Sequence, residues 1–144
     1  MTNHYEEDEE QVTDYSKEQI AKKERAKEKE KAMLKIAEVM GSLGTCSRAR
    51  VGCVIVRDGR IIASGYNSSI KGEPHCDDIG HEMEGAHCKR TIHAEQNALM
   101  ICAKYGIATE GCKVYVTHTP CRDCDRLLKQ AGIIKVYVDK VYHS

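Results

Sequence analysis

The stretch Thr91-Ile92-His93-Ala94-Glu95-Gln96-Asn97-Ala98-Leu99 carries the reading of this chain, and Thr119-Pro120-Cys121-Arg122-Asp123-Cys124 answers it further on. Each stands at the start of an expected helix, one from about His93 to Tyr105 and one over 121–131, with a strand from Cys112 to Thr117 between them. Ala98, Leu99 and Cys102 share the inner face of the first helix, and Gly132 closes the second. Pro120 suits the first turn of its helix, where a missing N–H finds no partner anyway. Cys121 and Cys124, at i and i+3, then face the same side, and the positive helix end favours both thiolates. Taken alone, Cys-x-x-Cys also serves closed structural zinc sites and redox pairs, and His-x-Glu alone means little. The two together at paired helix starts point to catalysis.

Working outward, Ile134 to Val138 reads as a strand, and strand–helix–strand order implies a right-handed crossover with parallel pairing. Upstream, Val51–Val56 and Ile61–Tyr66 are β-branched runs joined by Asp58-Gly59, a strong hairpin signal. Cys53 in the first run reads as a small core residue rather than a ligand. Met33, Leu34, Ala37, Met40 and Gly41 recur at three- and four-residue spacing, an apolar stripe for a helix lying on a sheet, ended by Gly41 and Gly44. The expected outcome is an α/β layered domain.

Residues 1–15 are acidic, with Glu6 to Glu10 in a row, and are expected to be disordered. Ser16-Lys17-Glu18-Gln19 has capping-box spacing, so a helix is expected from Ser16. Its Ala-, Glu- and Lys-rich continuation to Lys31 reads as a solvated face rather than a phosphate contact. The division is thus an acidic tail over 1–15 and one domain over 16–144. The 22 Lys and Arg balance the 22 Asp and Glu, so no basic field points to nucleic acid. No apolar run approaches a membrane span and no signal peptide opens the chain. Eight cysteines without such a signal are expected to be reduced, in the cytoplasm.

Residues 67–90 lack periodicity yet hold His75, Cys76, His81, His87 and Cys88. So long a connection is unusual in a compact domain unless it is functional or tied down. A second, structural zinc would tie it down, its binding energy becoming folding energy, with Cys46 a distant ligand. The alternative is a surface loop that happens to be rich in His and Cys.

His93-x-Glu95 and Pro120-Cys121-x-x-Cys124 together are identified as the H-x-E…P-C-x-x-C pattern of the zinc nucleobase deaminases. That resemblance implies His93, Cys121 and Cys124 as three ligands of a catalytic zinc, with the fourth tetrahedral position open to water. Glu95 is then the proton carrier held off the metal. From Met33 to Tyr142 the chain resembles the deoxycytidylate (dCMP) deaminases of the cytidine deaminase superfamily, phage and bacterial type. The matches are Val51-Gly52, Gly65-Tyr66-Asn67, Pro74-His75-Cys76-Asp77-Asp78, His93-Ala94-Glu95, Tyr115-Val116-Thr117 and Pro120-Cys121-x-x-Cys124 with Ala131-Gly132-Ile133.

The resemblance implies a three-layer α/β/α cytidine deaminase-like fold, with a mixed sheet and helices on both faces. It implies hydrolytic deamination of dCMP to dUMP, supplying thymidylate synthesis. Asn67 would meet the sugar, Tyr142 the pyrimidine, and Ala94 would be a further substrate contact; Arg48, Arg50 and Arg90 are the candidates for the phosphate. For the second zinc it favours Cys46, His75, His81 and Cys88, with His87 and Cys76 in reserve. It further implies a homo-oligomer, a hexamer, and dCTP and dTTP as effectors. Regulated members resemble Gly-Tyr-Asn-Gly-x-Pro-x-Gly at the effector loop, where this chain has Gly65-Tyr66-Asn67-Ser68-Ser69-Ile70-Lys71-Gly72, so loss of regulation is expected. The competing functions are deamination of another cytosine nucleoside or nucleotide or of a tRNA base, and a non-catalytic zinc module binding nucleic acid through the Lys-rich helix. Glu95 speaks against the last, because a structural site has no use for a carboxylate beside an open zinc position.

Overall fold

The computed structural model describes residues 4–140, with side-chain environments from Ser16 onward. The chain divides into two compact units after Ala32. In the first, α1 (His4–Gly41) begins at His4 rather than Ser16, so residues 4–15 continue the helix and only 1–3 of the acidic tail lie outside the described residues. Glutamate is a good helix former, and negative charge in the first turns suits the positive helix end. None of the described side chains from Ser16 to Ala32 is buried, as the solvated reading requires.

The second unit, from Met33, holds the sheet. β1 (Gly52–Arg57) pairs antiparallel with β2 (Arg60–Tyr66) through Asp58 and Gly59, whose φ angles of 51° and 75° make the hairpin turn that matches strand twist. After Tyr66 the chain makes short pieces: β3 (Ser68–Ser69), α2 (Cys76–Ile79), β4 (Met83–Glu84), β5 (His87–Cys88) and β6 (Thr91–Ile92). Then come α3 (Ala94–Tyr105), β7 (Lys113–His118), α4 (Arg122–Gln130) and β8 (Lys135–Lys140). The main sheet runs β2-β1-β7-β8 and is mixed: β7 is antiparallel to β1 and, across α4, parallel to β8.

Alternation along the strands makes three layers. Cys53, Ile55, Val114 and Val116 face one side, where Ala94, Ala98, Leu99 and Cys102 of α3 and Leu128 of α4 cover them. Val54, Val56 and Tyr115 face the other, under Ala37 and the partly buried Met33, Leu34 and Met40 of α1. Tyr115 stacks on Tyr137 of β8, ring centroids 4.5 Å apart. Cys53 is fully buried in this core, as a small residue should be.

Two glycines let helices approach the strands. A Cβ on Gly52 would lie 1.8 Å from the Ala37 carbonyl oxygen, and one on Gly65 would lie 2.3 Å from that of Ala94. The second contact seats the start of α3 against β2. No helix among the described residues is long and apolar enough to cross a membrane.

Candidate metal centres and the pocket between them

His93 and Cys121 do not sit inside their helices. Each is an N-cap, with extended backbone, at the start of α3 and α4 respectively. Pro120 therefore precedes the helix instead of occupying its first turn, and Cys121 Sγ accepts from the Cys124 N–H at 3.5 Å. The Gln96 side chain accepts from the His93 N–H at 3.0 Å and fixes the cap.

These caps bring His93, Cys121 and Cys124 together, with Sγ of Cys121 and of Cys124 at 3.5 and 3.2 Å from His93 Nδ1. Around a tetrahedral zinc, Zn–S and Zn–N bond lengths set an N···S edge of about 3.6 Å. The three donors thus already span one face of such a site, and no fourth protein ligand joins them among the described residues. The electrostatics fit a cation as well. Burial pushes the Cys124 thiol far up, and Glu95 and Cys121 push it further. A bound dication reverses that preference and makes the thiolate the stable form. Glu95 is only 4% exposed, and burial raises its carboxyl above the usual range against the lowering effects of its own N–H, His93 and Cys124.

A second cluster is Cys46, Cys76, His81 and Cys88, its ligand atoms all within 4.8 Å of one another. Cys46 Sγ lies 3.3 Å from His81 Nδ1, and the Cys76 and Cys88 sulfurs are 3.5 Å apart. Four donors gathered this closely can make a closed site, and both donor sets fit zinc. His75, the expected ligand, is not part of it. It is the extended N-cap of α2, its buried Nδ1 lacks a hydrogen-bond partner among the described residues, and Cys76 is the residue turned inward. One proton is unevenly held between the two close thiols. Burial, then Cys88 and Cys46, push Cys76 up to about 12. Burial works to raise Cys88 too, but backbone N–H groups at Arg90 and Glu82, with Cys76 and His81, outweigh it and bring Cys88 down to about 6.

Between the clusters lies a cavity of about 310 Å³, whose walls include Cys46 and Cys88 from one and His93 and Cys121 from the other, with Glu95 and Ala94. Of the three arginines, Arg48 alone lines it, and it is the only Lys or Arg among the lining residues. Arg48 donates to the Ala86 carbonyl at 3.0 Å. Arg50 instead donates to the Gly44 carbonyl and pairs with Asp77 at 3.3 Å, and Arg90 donates to the Gly80 carbonyl. Both brace loops.

Asn67 lines the cavity, but its carboxamide is largely committed: Oδ1 accepts from Val51 N–H at 2.7 Å and Nδ2 donates to the Ala49 carbonyl at 2.6 Å. It holds the Arg48 segment in place and keeps one donor and one acceptor site in reserve. His87 lines the cavity and stands outside the second cluster. Tyr142 lies outside the described residues. Sequence reasoning did not find Thr91, His118 and Thr119 in the wall, nor Asn97, whose Nδ2 donates to the Tyr66 carbonyl at 2.7 Å and ties α3 to the end of β2. For Thr119, its place one residue before Pro120 was the available signal; the others carried none.

Residues 26–140 match the family model described as the cytidine and deoxycytidylate deaminase zinc-binding region. The chain is 53% identical over 100 residues to ComE operon protein 2 of Bacillus subtilis (strain 168), covering 69% of this chain and 53% of that one, so it spans about half of that relative's length. It is 32% identical over 152 residues to the deoxycytidylate deaminase of Enterobacteria phage T4, covering 79% of each. The fold is similar to the crystal structure of dCMP deaminase from cyanophage S-TIM5 in complex with dCMP and dUMP, with TM-score 0.69 and 35% identity over 78% of this chain and 81% of that one.

Proposed function

The chain belongs to the cytidine and deoxycytidylate deaminase zinc-binding family, and from that premise we propose that it hydrolyses dCMP to dUMP and ammonia. The observation that carries this reading is one cavity lined by a buried Glu95, a single arginine, Arg48, and His93 and Cys121, which with the buried Cys124 make up the three-donor cluster. The likeness to proteins named deoxycytidylate deaminase supports it.

His93, Cys121 and Cys124 would hold a zinc ion, whose chemistry when bound would be to make a water acidic near neutral pH. Glu95 would take one proton from the attacking water and deliver it to N3 as the C4–O bond forms. It would then take the proton of the new C4 hydroxyl and pass it to the amino group, which leaves as ammonia as the C4–N bond breaks and C4=O forms. Its raised pKa suits the work, because a carboxyl held above the usual range takes up and returns a proton more evenly near neutrality. Water adds and ammonia leaves, so no oxidant or further reactant is needed.

Ala94 and the remaining capacity of Asn67 face the nucleoside, and Arg48 takes the phosphate. Cys46, Cys76, His81 and Cys88 hold a second, structural zinc. The chain works as a homo-oligomer, of six copies, a reading that the exposed Met100 and Leu127 on α3 and α4 support. Its eight free cysteines suit the reducing cytoplasm. An absorbance assay of the purified protein on dCMP, CMP and deoxycytidine tests the proposal. Preference for dCMP is expected, and turnover of deoxycytidine alone would overturn it.

A further inference from the structure

We infer that His118 sets nucleotide specificity: Thr117 holds its imidazole in the Nε2–H form, and that N–H donates to the substrate phosphate beside Arg48. The inference rests on the reading of the protein as a nucleotide deaminase and adds a residue that this reading does not assign.

The tautomer follows from hydrogen-bond accounting. Thr117 is 3% exposed, so its hydroxyl proton has no access to bulk water. Its Oγ1 accepts from the Gly52 N–H at 3.2 Å, a group that can only donate. The other partner of Oγ1 is Nδ1 of His118 at 2.6 Å. The buried hydroxyl is satisfied only by giving its proton to Nδ1, and the ring's own proton then sits on Nε2. Burial holds the His118 pKa below its ordinary value, Lys140 lowers it further and Asp139 opposes them, so the ring is a neutral donor.

Its place in the wall follows from strand register. Cys53 pairs with Val116, and continuing that antiparallel register sets His118 across from Val51. Both line the cavity. Arg48 lies three residues before Val51, and Cys121 lies three residues after His118. His118 thus shares one cavity wall with Cys121, and its strand neighbour Val51 joins it to the segment that carries Arg48. A cytosine whose C4 lies at Glu95 must run its sugar and phosphate away from the donors and toward Arg48. A phosphate dianion is the strongest acceptor on that path, and a hydrogen bond to it is charge-assisted. Deoxycytidine lacks that acceptor.

The test uses the full-length, zinc-loaded protein with His118→Ala and His118→Gln, each assayed on dCMP and on deoxycytidine. His118→Ala is expected to raise KM for dCMP about 10-fold or more, the scale of a lost hydrogen bond to a charged group, and to affect deoxycytidine much less, so that the preference for dCMP falls. His118→Gln, which keeps an N–H donor, should recover part of the loss. Equal losses on both substrates, or none on dCMP, would overturn the inference. Imidazole nitrogen NMR of the wild type gives a reading independent of turnover. Nδ1 should be bare, and the Nε2–H signal should shift on titration with inorganic phosphate. A proton on Nδ1 or an unmoved Nε2–H signal would refute the inference even if dCMP is turned over. Failure of wild-type dCMP turnover with both NMR results as expected would strike the proposed function alone.

Discussion

Cys88 and His93 stand five residues apart on one strand-and-turn segment, yet each belongs to a different donor cluster and both line the same cavity. The segment between them runs through Thr91 and Ile92, pinned to Ser69 and Ser68 by β3–β6 pairing. A metal on Cys88 therefore anchors one wall of the pocket whose chemistry His93 serves. Loss of the second metal should loosen the substrate site before it disturbs the first.

Metal content separates Cys76 from its neighbour. Wild-type protein should carry two zinc ions per chain, Cys76→Ala should carry one, and His75→Ala should keep both. Elemental analysis after dialysis against a mild chelator measures this. In Cys76→Ala, KM for dCMP should rise several-fold while the first zinc stays bound. One zinc per chain in the wild type, or loss of zinc from His75→Ala alone, would reverse the assignment.

Glu95→Gln should fold, bind both zinc ions and lose turnover by about 10²–10⁴-fold or more, the usual contribution of a positioned acid–base group. Gln keeps the shape but cannot carry a proton. Steady-state assay beside metal analysis checks it. Zinc loss in this variant would mean that the carboxylate is a ligand after all.

In metal-free protein the raised Glu95 pKa makes a stability prediction. The folded state holds the Glu95 proton more tightly than the unfolded chain does, so folding is favoured at low pH. This contribution is fully present below the ordinary carboxylate value of 4.5 and is lost as pH rises through the raised folded value. Melting temperatures of metal-free wild type and Glu95→Gln, compared across that range, should converge at the acid end. The wild type should fall behind as pH rises, and parallel curves would contradict it.

Effector response is the fourth expectation. A ligand shifts activity only if it binds two states unequally. Ser68 and Ser69 here give their backbones to the β3–β6 pair, and Ile70 has neither the fixed φ of proline nor burial, being 51% exposed. Rate against dCMP should be hyperbolic and unmoved by dCTP or dTTP with Mg²⁺. A sigmoidal curve made hyperbolic by dCTP would show regulation intact.

Local pattern determined much of this protein. The alternation of Cys53, Val54, Ile55 and Val56, the Asp58-Gly59 turn and the apolar stripe from Met33 were enough to place strands, hairpin and helix, because each depends on neighbours a few residues away. The His-x-Glu and Pro-Cys-x-x-Cys spacing drew attention to the first donor set for the same reason. Spacing could not say that His93 and Cys121 act from N-cap positions, since a boundary shift of one residue leaves the pattern unchanged.

Only the tertiary structure chose among equals. Cys76 rather than His75 joins the second cluster because α2 begins between them and turns one side chain inward. Arg48 rather than Arg50 or Arg90 lines the cavity, because its partner, the Ala86 carbonyl, belongs to a residue of the cavity wall, whereas Asp77, Gly44 and Gly80, the partners of the other two, do not. Thr117 orients His118 through a donor on Gly52, 65 residues earlier in the chain. Such choices depend on which groups meet across the fold, and a linear spacing rule holds no information about that.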